Sequence, residues 1–260
     1  MSKTTIYVVA HKEAPIPQKT IYKSLLVGAN LGNKFDGADY KDNEGKNISE
    51  KNRSYCELTG IYWIWKNDNT SDIIGISHYR RYFSNNYLSM SLDSCVDEKT
   101  INKIFERYDI IVSKPAIFSD TVVNSLRVAP NYNDMKALEN AIKVVCPEYS
   151  KEYNFFLNGN QYYPYNMFVM KRNDFKKYCE WLFSILDYVE KEYGNPYTDD
   201  YRIRLFGFLS ERLLYVWVKH NFDSKKVKKL KVLYTEESLF RSNIHIISGI
   251  IHNLRFIIKR

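Results

Sequence analysis

The chain has 260 residues, 38 Lys and Arg against 30 Asp and Glu, a formal net charge of +8, and 45% hydrophobic residues. That balance excludes a disordered or low-complexity chain and suits one large domain, or a domain with a small appendage, able to bury a substantial core. The positive excess favours anionic partners such as nucleotides, nucleic acid or acidic lipid headgroups, and 22 Tyr with 14 Phe supply rings suited to clefts that face sugars or bases.

In chain order, the β-branched and aromatic run Thr4 to Ala10 predicts a first central strand, with His11 and Lys12 at its carboxyl edge. Met1 to Thr5 runs straight into it without a signal-peptide core, and the expected location is the cytoplasm. Gly28 to Asn47 is polar and rich in Gly and Asp, which is loop chemistry. Ser54-x-x-Glu57 has the spacing of a capping box and predicts a helix from there to about Lys66, with Glu57 as its cap. The apolar run Ile73 to Ile76, ending in Ser77-His78-Tyr79-Arg80-Arg81, reads as a strand buried on both faces. Ligands bind outside the carboxyl ends of such strands. His78, Arg80 and Arg81 are therefore expected in a crevice, where a guanidinium fork suits phosphate oxygens.

Further on, a helix over Asp97 to Tyr108 and a strand over Tyr108 to Ser113 continue the alternation of an α/β sheet. Asn131 to Val145 is helical by period, and a shorter helix follows over Tyr149 to Leu157. The aromatic tract Tyr162 to Asn166 leads into a strand from Met167 and forms a candidate acceptor-side wall. A long helix through Phe175 to Val189 ends at Gly194, and Thr198-Asp199-Asp200 is a polar loop. The next helix carries Glu211 and Arg212 inside an apolar stretch, where charges are costly unless paired or used. The lysine-rich run Lys225 to Lys231 reads as a guarded edge strand. Residues 241–260 form a basic amphipathic helical tail, which lies in a membrane interface or docks on the domain.

Several chemistries lack support. Cys56, Cys95, Cys146 and Cys179 form no C-x-x-C pair, so free thiols are expected rather than a metal cluster or a disulfide framework. P-loop, dinucleotide-binding, hydrolase-elbow and zincin motifs are missing, and no metal ligand set is assigned.

The blocks Ile6 to Lys12, Asn47 to Asn52, Tyr55 to Asn67, His78 to Phe83, Tyr165 to Met170 and Phe206 to Leu213 together resemble the bacterial DUF4422 family of capsular and exopolysaccharide glycosyltransferases. The resemblance runs from the first strand to about Trp217 and leaves the basic tail outside. It implies a glycosyltransferase domain over residues 1–240 with a GT-A-like, mixed and mainly parallel α/β sheet flanked by helices, followed by the tail at 241–260. It further implies a hexosyltransferase that takes a hexose, such as galactose or galactofuranose, from a UDP-linked or other nucleotide sugar. The acceptor would be a saccharide, lipid-linked at the cytoplasmic face of the inner membrane. GT-A enzymes usually present an Asp-x-Asp to hold Mn²⁺ or Mg²⁺, and His78-Tyr79-Arg80 stands at the corresponding place.

On that reading His11, Lys12, His78, Arg80 and Arg81 bind the donor diphosphate. Glu211, then Asp200 and Asp199, are the candidate catalytic carboxylates, and Tyr165, Asn166 and Arg212 face the acceptor or sugar. The alternative is a non-enzymatic anion- or RNA-binding protein that uses the basic, tyrosine-rich surface; no nucleic-acid recognition module is present.

Overall fold

The computed structural model describes residues 2–86, 89, 91–126, 129–236, 251–253 and 255–258. Among these residues ten strands run in chain order: β1 (Thr4–Ala10), β2 (Tyr22–Leu26), β3 (Tyr40–Lys41), β4 (Ile73–His78), β5 (Arg81–Ser84), β6 (Ile110–Ser113), β7 (Ala116–Ile117), β8 (Gln161–Tyr162), β9 (Phe168–Lys171) and β10 (Val227–Tyr234). The helices are α1 (Asn52–Tyr55), α2 (Leu58–Asn67), α3 (Glu98–Phe105), α4 (Val122–Ser125), α5 (Tyr132–Val145), α6 (Ser150–Asn158), α7 (Arg172–Tyr193) and α8 (Leu205–Asn221).

All seven residues of β1 are buried because the strand is paired on both edges and covered on both faces. Tyr7 and Val9 pack into the layer built by α2, α5, α6, α7 and α8, while Ile6, Val8 and Ala10 pack on the opposite side with Tyr22, Tyr82 and Phe83. The period of two along a strand makes that division. Strands β3, β2, β1 and β4 are parallel neighbours. Beyond them β9 lies antiparallel between β4 and β6, and β10 pairs parallel with β6 and antiparallel with β5. The sheet is thus mixed, with antiparallel pairs as frequent as parallel ones. A His78–Arg81 pair joins β5 back to β4, so β4, β9, β6, β10 and β5 close into a ring.

The chain moves outward from β1 to β2 and β3 and then returns to place β4 on the other side of β1. That reversal opens a crevice at the carboxyl ends of β1 and β4. Close packing beneath it depends on Gly75, where a Cβ would stand 2.9 Å from Ile6 Cγ1 and 3.1 Å from Val169 Cγ2. Gly75→Ala is expected to destabilise the fold by ~1–3 kcal/mol, read as a lower urea midpoint. An unchanged midpoint would contradict this packing.

Three sequence expectations change. Cys56, at φ 53, breaks the helix expected over 54–66 into α1 and α2, and no capping box forms. Ser54 Oγ instead accepts a hydrogen bond from Asn195 Nδ2 at 2.8 Å, which frees Glu57 from a capping role. The lysine-rich β10 is not an edge strand, since its first half pairs with β6 and its second with β5. The Gly- and Asp-rich loop is firmly held: Asp42, 0% exposed, accepts from Gly28 N–H at 2.9 Å, Ala29 N–H at 3.1 Å, Ser49 Oγ at 2.5 Å and Thr59 Oγ1 at 2.6 Å. A buried carboxylate is stable only with such a full set of donors.

The tail lies largely outside the described residues. Of it, 251–253 and 255–258 are helical, His252 Nδ1 donates to the Ile117 carbonyl at 3.1 Å, and Ile251, Ile257 and Ile258 are exposed. No helix among the described residues is long and apolar enough to cross a membrane.

Candidate active site

A cleft of about 610 Å³ opens where β1, β2 and β4 end. Val9 and His11 contribute from β1 and its exit, Val27 from the end of β2, and His78 from β4. Arg80 and Arg81 form the turn into β5, and Ile203, Arg204, Phe208 and Glu211 come from the start of α8 and the residues before it. The parallel register fixes this convergence, because Val9 of β1 lies beside His78 of β4.

Cations dominate one wall. Arg81 lies over the Tyr165 ring at 4.4 Å, and Arg80 lies over Tyr79 at 5.1 Å while pairing with Glu236 at 2.9 Å. That pair is 40% and 54% exposed and contributes little to holding Arg80. Both arginines are half-buried, and the Nε of each is buried without a hydrogen-bond partner among the described residues. Both arginines line the cleft, where the fork of a guanidinium suits an anion. His11 stacks edge-on against Tyr79 at 5.2 Å, and its pKa is lowered by burial and then by Lys12, Arg80 and Arg204.

His78 is neutral at physiological pH. Its ring accepts no positive charge readily because burial, then Arg81, push its pKa down to about 4. Its Nε2 lies 2.6 Å from the Tyr165 carbonyl. A carbonyl can only accept, so Nε2 carries the proton and Nδ1 keeps the lone pair.

The facing wall holds two half-buried carboxyls. Glu211 Oε1 accepts from Tyr165 N–H at 3.0 Å and Oε2 from Arg212 Nη1 at 2.9 Å, with only 15% and 11% of the two side chains exposed. Burial raises the Glu211 pKa, Arg212 opposes that shift, and Glu57 adds to it. Glu57 Oε1 accepts from Asn166 Nδ2 at 2.6 Å, and burial raises its pKa as well. Beside them Cys56 has its thiol pushed up to about 12 by burial, so it is no nucleophile at neutral pH.

Of the residues expected in the site, His11, His78, Arg80, Arg81, Tyr165, Asp200 and Glu211 line the cleft. Asp200 is on the rim in an exposed pair with Arg53 at 3.1 Å. Lys12, Asp199, Asn166 and Arg212 do not line it. Lys12 reaches over Tyr79 from outside, and Asp199 pairs with Arg202 at 2.7 Å. Asn166 is fully buried behind Glu57, and Arg212 lies over the Tyr162 ring at 4.5 Å. Sequence reasoning missed Arg204 and gave Glu57 to a helix cap. A basic residue just before an apolar helix was the available signal for the first, and the positive φ at Cys56 that redirects the second has no signature in a non-glycine residue.

Among the described residues no group of three or more His, Cys, Asp and Glu side chains is placed to hold a metal ion. The donor set at the ends of β4 and β5 is imidazole and guanidinium, which does not suit Mn²⁺ or Mg²⁺. The arrangement suits a small polyanion on the arginine side and a hydroxyl-bearing group on the carboxyl side.

Residues 5–222 match the family model described as Domain of unknown function (DUF4422). Among solved structures, the apo structure of the bifunctional glycosyltransferase WbbM is 30% identical, with a TM-score of 0.79 over 90% of this chain and 46% of that one. The chain therefore spans about half the length of WbbM. The mannosyltransferase Ktr4p from S. cerevisiae is 5% identical over 79% of this chain and 66% of that one, with a TM-score of 0.31. The 4-diphosphocytidyl-2C-methyl-D-erythritol synthase from Anaerococcus prevotii DSM 20548 is 12% identical over 95% and 96%, with a TM-score of 0.32. Neither of these two similarities carries an argument. No curated protein matches the chain.

Proposed function

Because the chain belongs to the DUF4422 family, we propose that it is a GT-A-like glycosyltransferase that moves a hexose from a nucleotide-diphosphate sugar to a saccharide acceptor in surface polysaccharide synthesis. The observation that carries this reading is the pair of adjacent arginines, Arg80 and Arg81, that line the cleft at the end of β4. Their guanidinium N–H groups would donate to the diphosphate oxygens and neutralise the charge that develops on them as the diphosphate leaves. Similarity to a glycosyltransferase, WbbM, over 90% of the chain supports the same reaction class. Arg204 and His11 extend the cationic wall, and Glu57 with Glu211 faces it.

The donor is a UDP-linked sugar, galactose or galactofuranose in the first instance. The acceptor is lipid-linked, and the protein works from the cytoplasm at the inner membrane, a reading supported by the basic amphipathic pattern of residues 241–260. A polyanion-binding protein would instead need an open basic surface. Arg80 and Arg81 line a cleft of about 610 Å³, which favours a small anion.

Thermal shift against a panel of nucleotide sugars, with Mn²⁺ or with chelator, followed by transfer assays on free and lipid-linked saccharides, tests this proposal. One sugar nucleotide is expected to raise the midpoint saturably and to be consumed with an acceptor. No shift with any of them, together with RNA affinity that falls steeply with salt, would support the polyanion reading instead.

A further inference from the structure

The two carboxyls of the cleft are not equivalent. Glu211 has both oxygens engaged, one by the Tyr165 N–H and one by the Arg212 guanidinium. Glu57 is held only by neutral donors, the Asn166 amide at Oε1 and its own backbone N–H. Among the described residues no ion pair is made by the Glu57 carboxyl, and Glu57 lines the cleft. A carboxylate locked to a guanidinium is a poor proton acceptor, whereas a desolvated one with no direct cation is a good one.

The backbone between them points the same way. Tyr165 has φ 74 and Asn166 has φ 51, two successive left-handed residues of which neither is glycine. Each such residue costs ~1–3 kcal/mol unless its surroundings hold it. Here the dipeptide gives its N–H to Glu211, takes the N–H of His78 on its carbonyl, and sends the Asn166 amide to Glu57. One strained unit therefore fixes the imidazole and both carboxyls relative to one another.

We propose that Glu57, rather than Glu211, takes the proton of the acceptor hydroxyl, and that Glu211 is a positioning residue that anchors the Tyr165–Asn166 dipeptide. This assignment rests on the glycosyl-transfer reading above. In the step, the acceptor O–H bond breaks and its proton passes to Glu57 Oε2. The oxygen's electron pair forms the bond to the anomeric carbon, and the bond from that carbon to the diphosphate oxygen breaks with its pair leaving on the diphosphate. A single displacement of this kind inverts the anomeric centre. Around Glu57 stand Arg204 before α8, Arg81 on β5, Glu211 on α8, Cys56 on the preceding turn and Tyr178 on α7. Burial is the larger influence and the arginines oppose it, so the active, ionised form of Glu57 is lost as pH falls through a value above the ordinary 4.5.

The test uses the full chain, its sugar nucleotide and acceptor, with Glu57→Gln, Glu57→Asp and Glu211→Gln. Glu57→Gln is expected to lower kcat by ~10²–10⁴-fold, to leave donor affinity within about twofold, and to abolish the acid limb of the kcat profile. Glu57→Asp should recover part of the rate, Glu211→Gln should keep an acid limb, and the wild-type product should be the inverted anomer. If Glu57→Gln does not fold, a shifted acid limb in Glu57→Asp carries the same information. A Glu57→Gln enzyme that folds with kcat within about tenfold of wild type, an acid limb unmoved in Glu57→Asp, or a retained anomer would overturn the assignment alone. A wild-type chain that transfers sugar from no nucleotide donor would overturn the glycosyl-transfer reading on which it stands.

Discussion

Arg81→Ala is expected to lower kcat/KM for sugar transfer by ~10²–10³-fold, the scale of one lost charge-stabilising donor in a water-poor site. The guanidinium stacks on Tyr165 at 4.4 Å and lines the cleft, and among the described residues its Nε has no hydrogen-bond partner, so the ring orients it. Arg81→Lys should restore only a small part of the rate, because an ammonium lacks the planar fork and the ring stacking. The pH profile supplies an independent check. Arg81 lowers the pKa of both Glu57 and Glu211, so its removal raises them and moves the acid limb of activity to higher pH. Rates near wild type with an unmoved limb would remove Arg81 from the site.

Asn166→Ala is expected to cost ~2–4 kcal/mol of stability and most of the activity. The amide Nδ2 bonds Glu57 at 2.6 Å and Ser210 Oγ at 2.7 Å, with no exposed surface to admit water in its place. Leaving buried acceptors unpaired costs ~1–3 kcal/mol, and an alanine at φ 51 adds ~1 kcal/mol of backbone strain. Asn166→Gly separates the two contributions. It removes the same amide but accepts the left-handed conformation, so it should unfold at a higher denaturant concentration than Asn166→Ala. Urea midpoints that are equal in the two variants would show that the conformation carries no strain.

The sequence makes the sheet legible and leaves the inner side of the site obscure. The uniform apolar run Ile73 to Ile76 announces a strand covered on both faces, and the histidine and arginines that end it stand in the cleft. Local composition suffices there because strand ends and ligand crevices coincide in α/β sheets. Tyr22–Leu26 escapes notice because five residues behind a proline-containing loop offer too short a period. Glu57 is misread because Ser54-x-x-Glu57 fits a helix start that Cys56 prevents. Asn166 and Arg212 show the opposite failure. Their residue types suit a sugar-facing wall, but tertiary packing turns both behind the first layer, where they hold Glu57 and Glu211 instead of facing the cleft.

The most direct measurement on the central claim, that Arg80 and Arg81 hold a nucleoside diphosphate at the end of β4, is a calorimetric titration of UDP and the other nucleoside diphosphates. It should be run on wild type and on the Arg80→Ala and Arg81→Ala chains. Saturable binding of one nucleotide per wild-type chain is expected, preserved in chelator and weakened in both variants. Equal affinity in all three chains would contradict it.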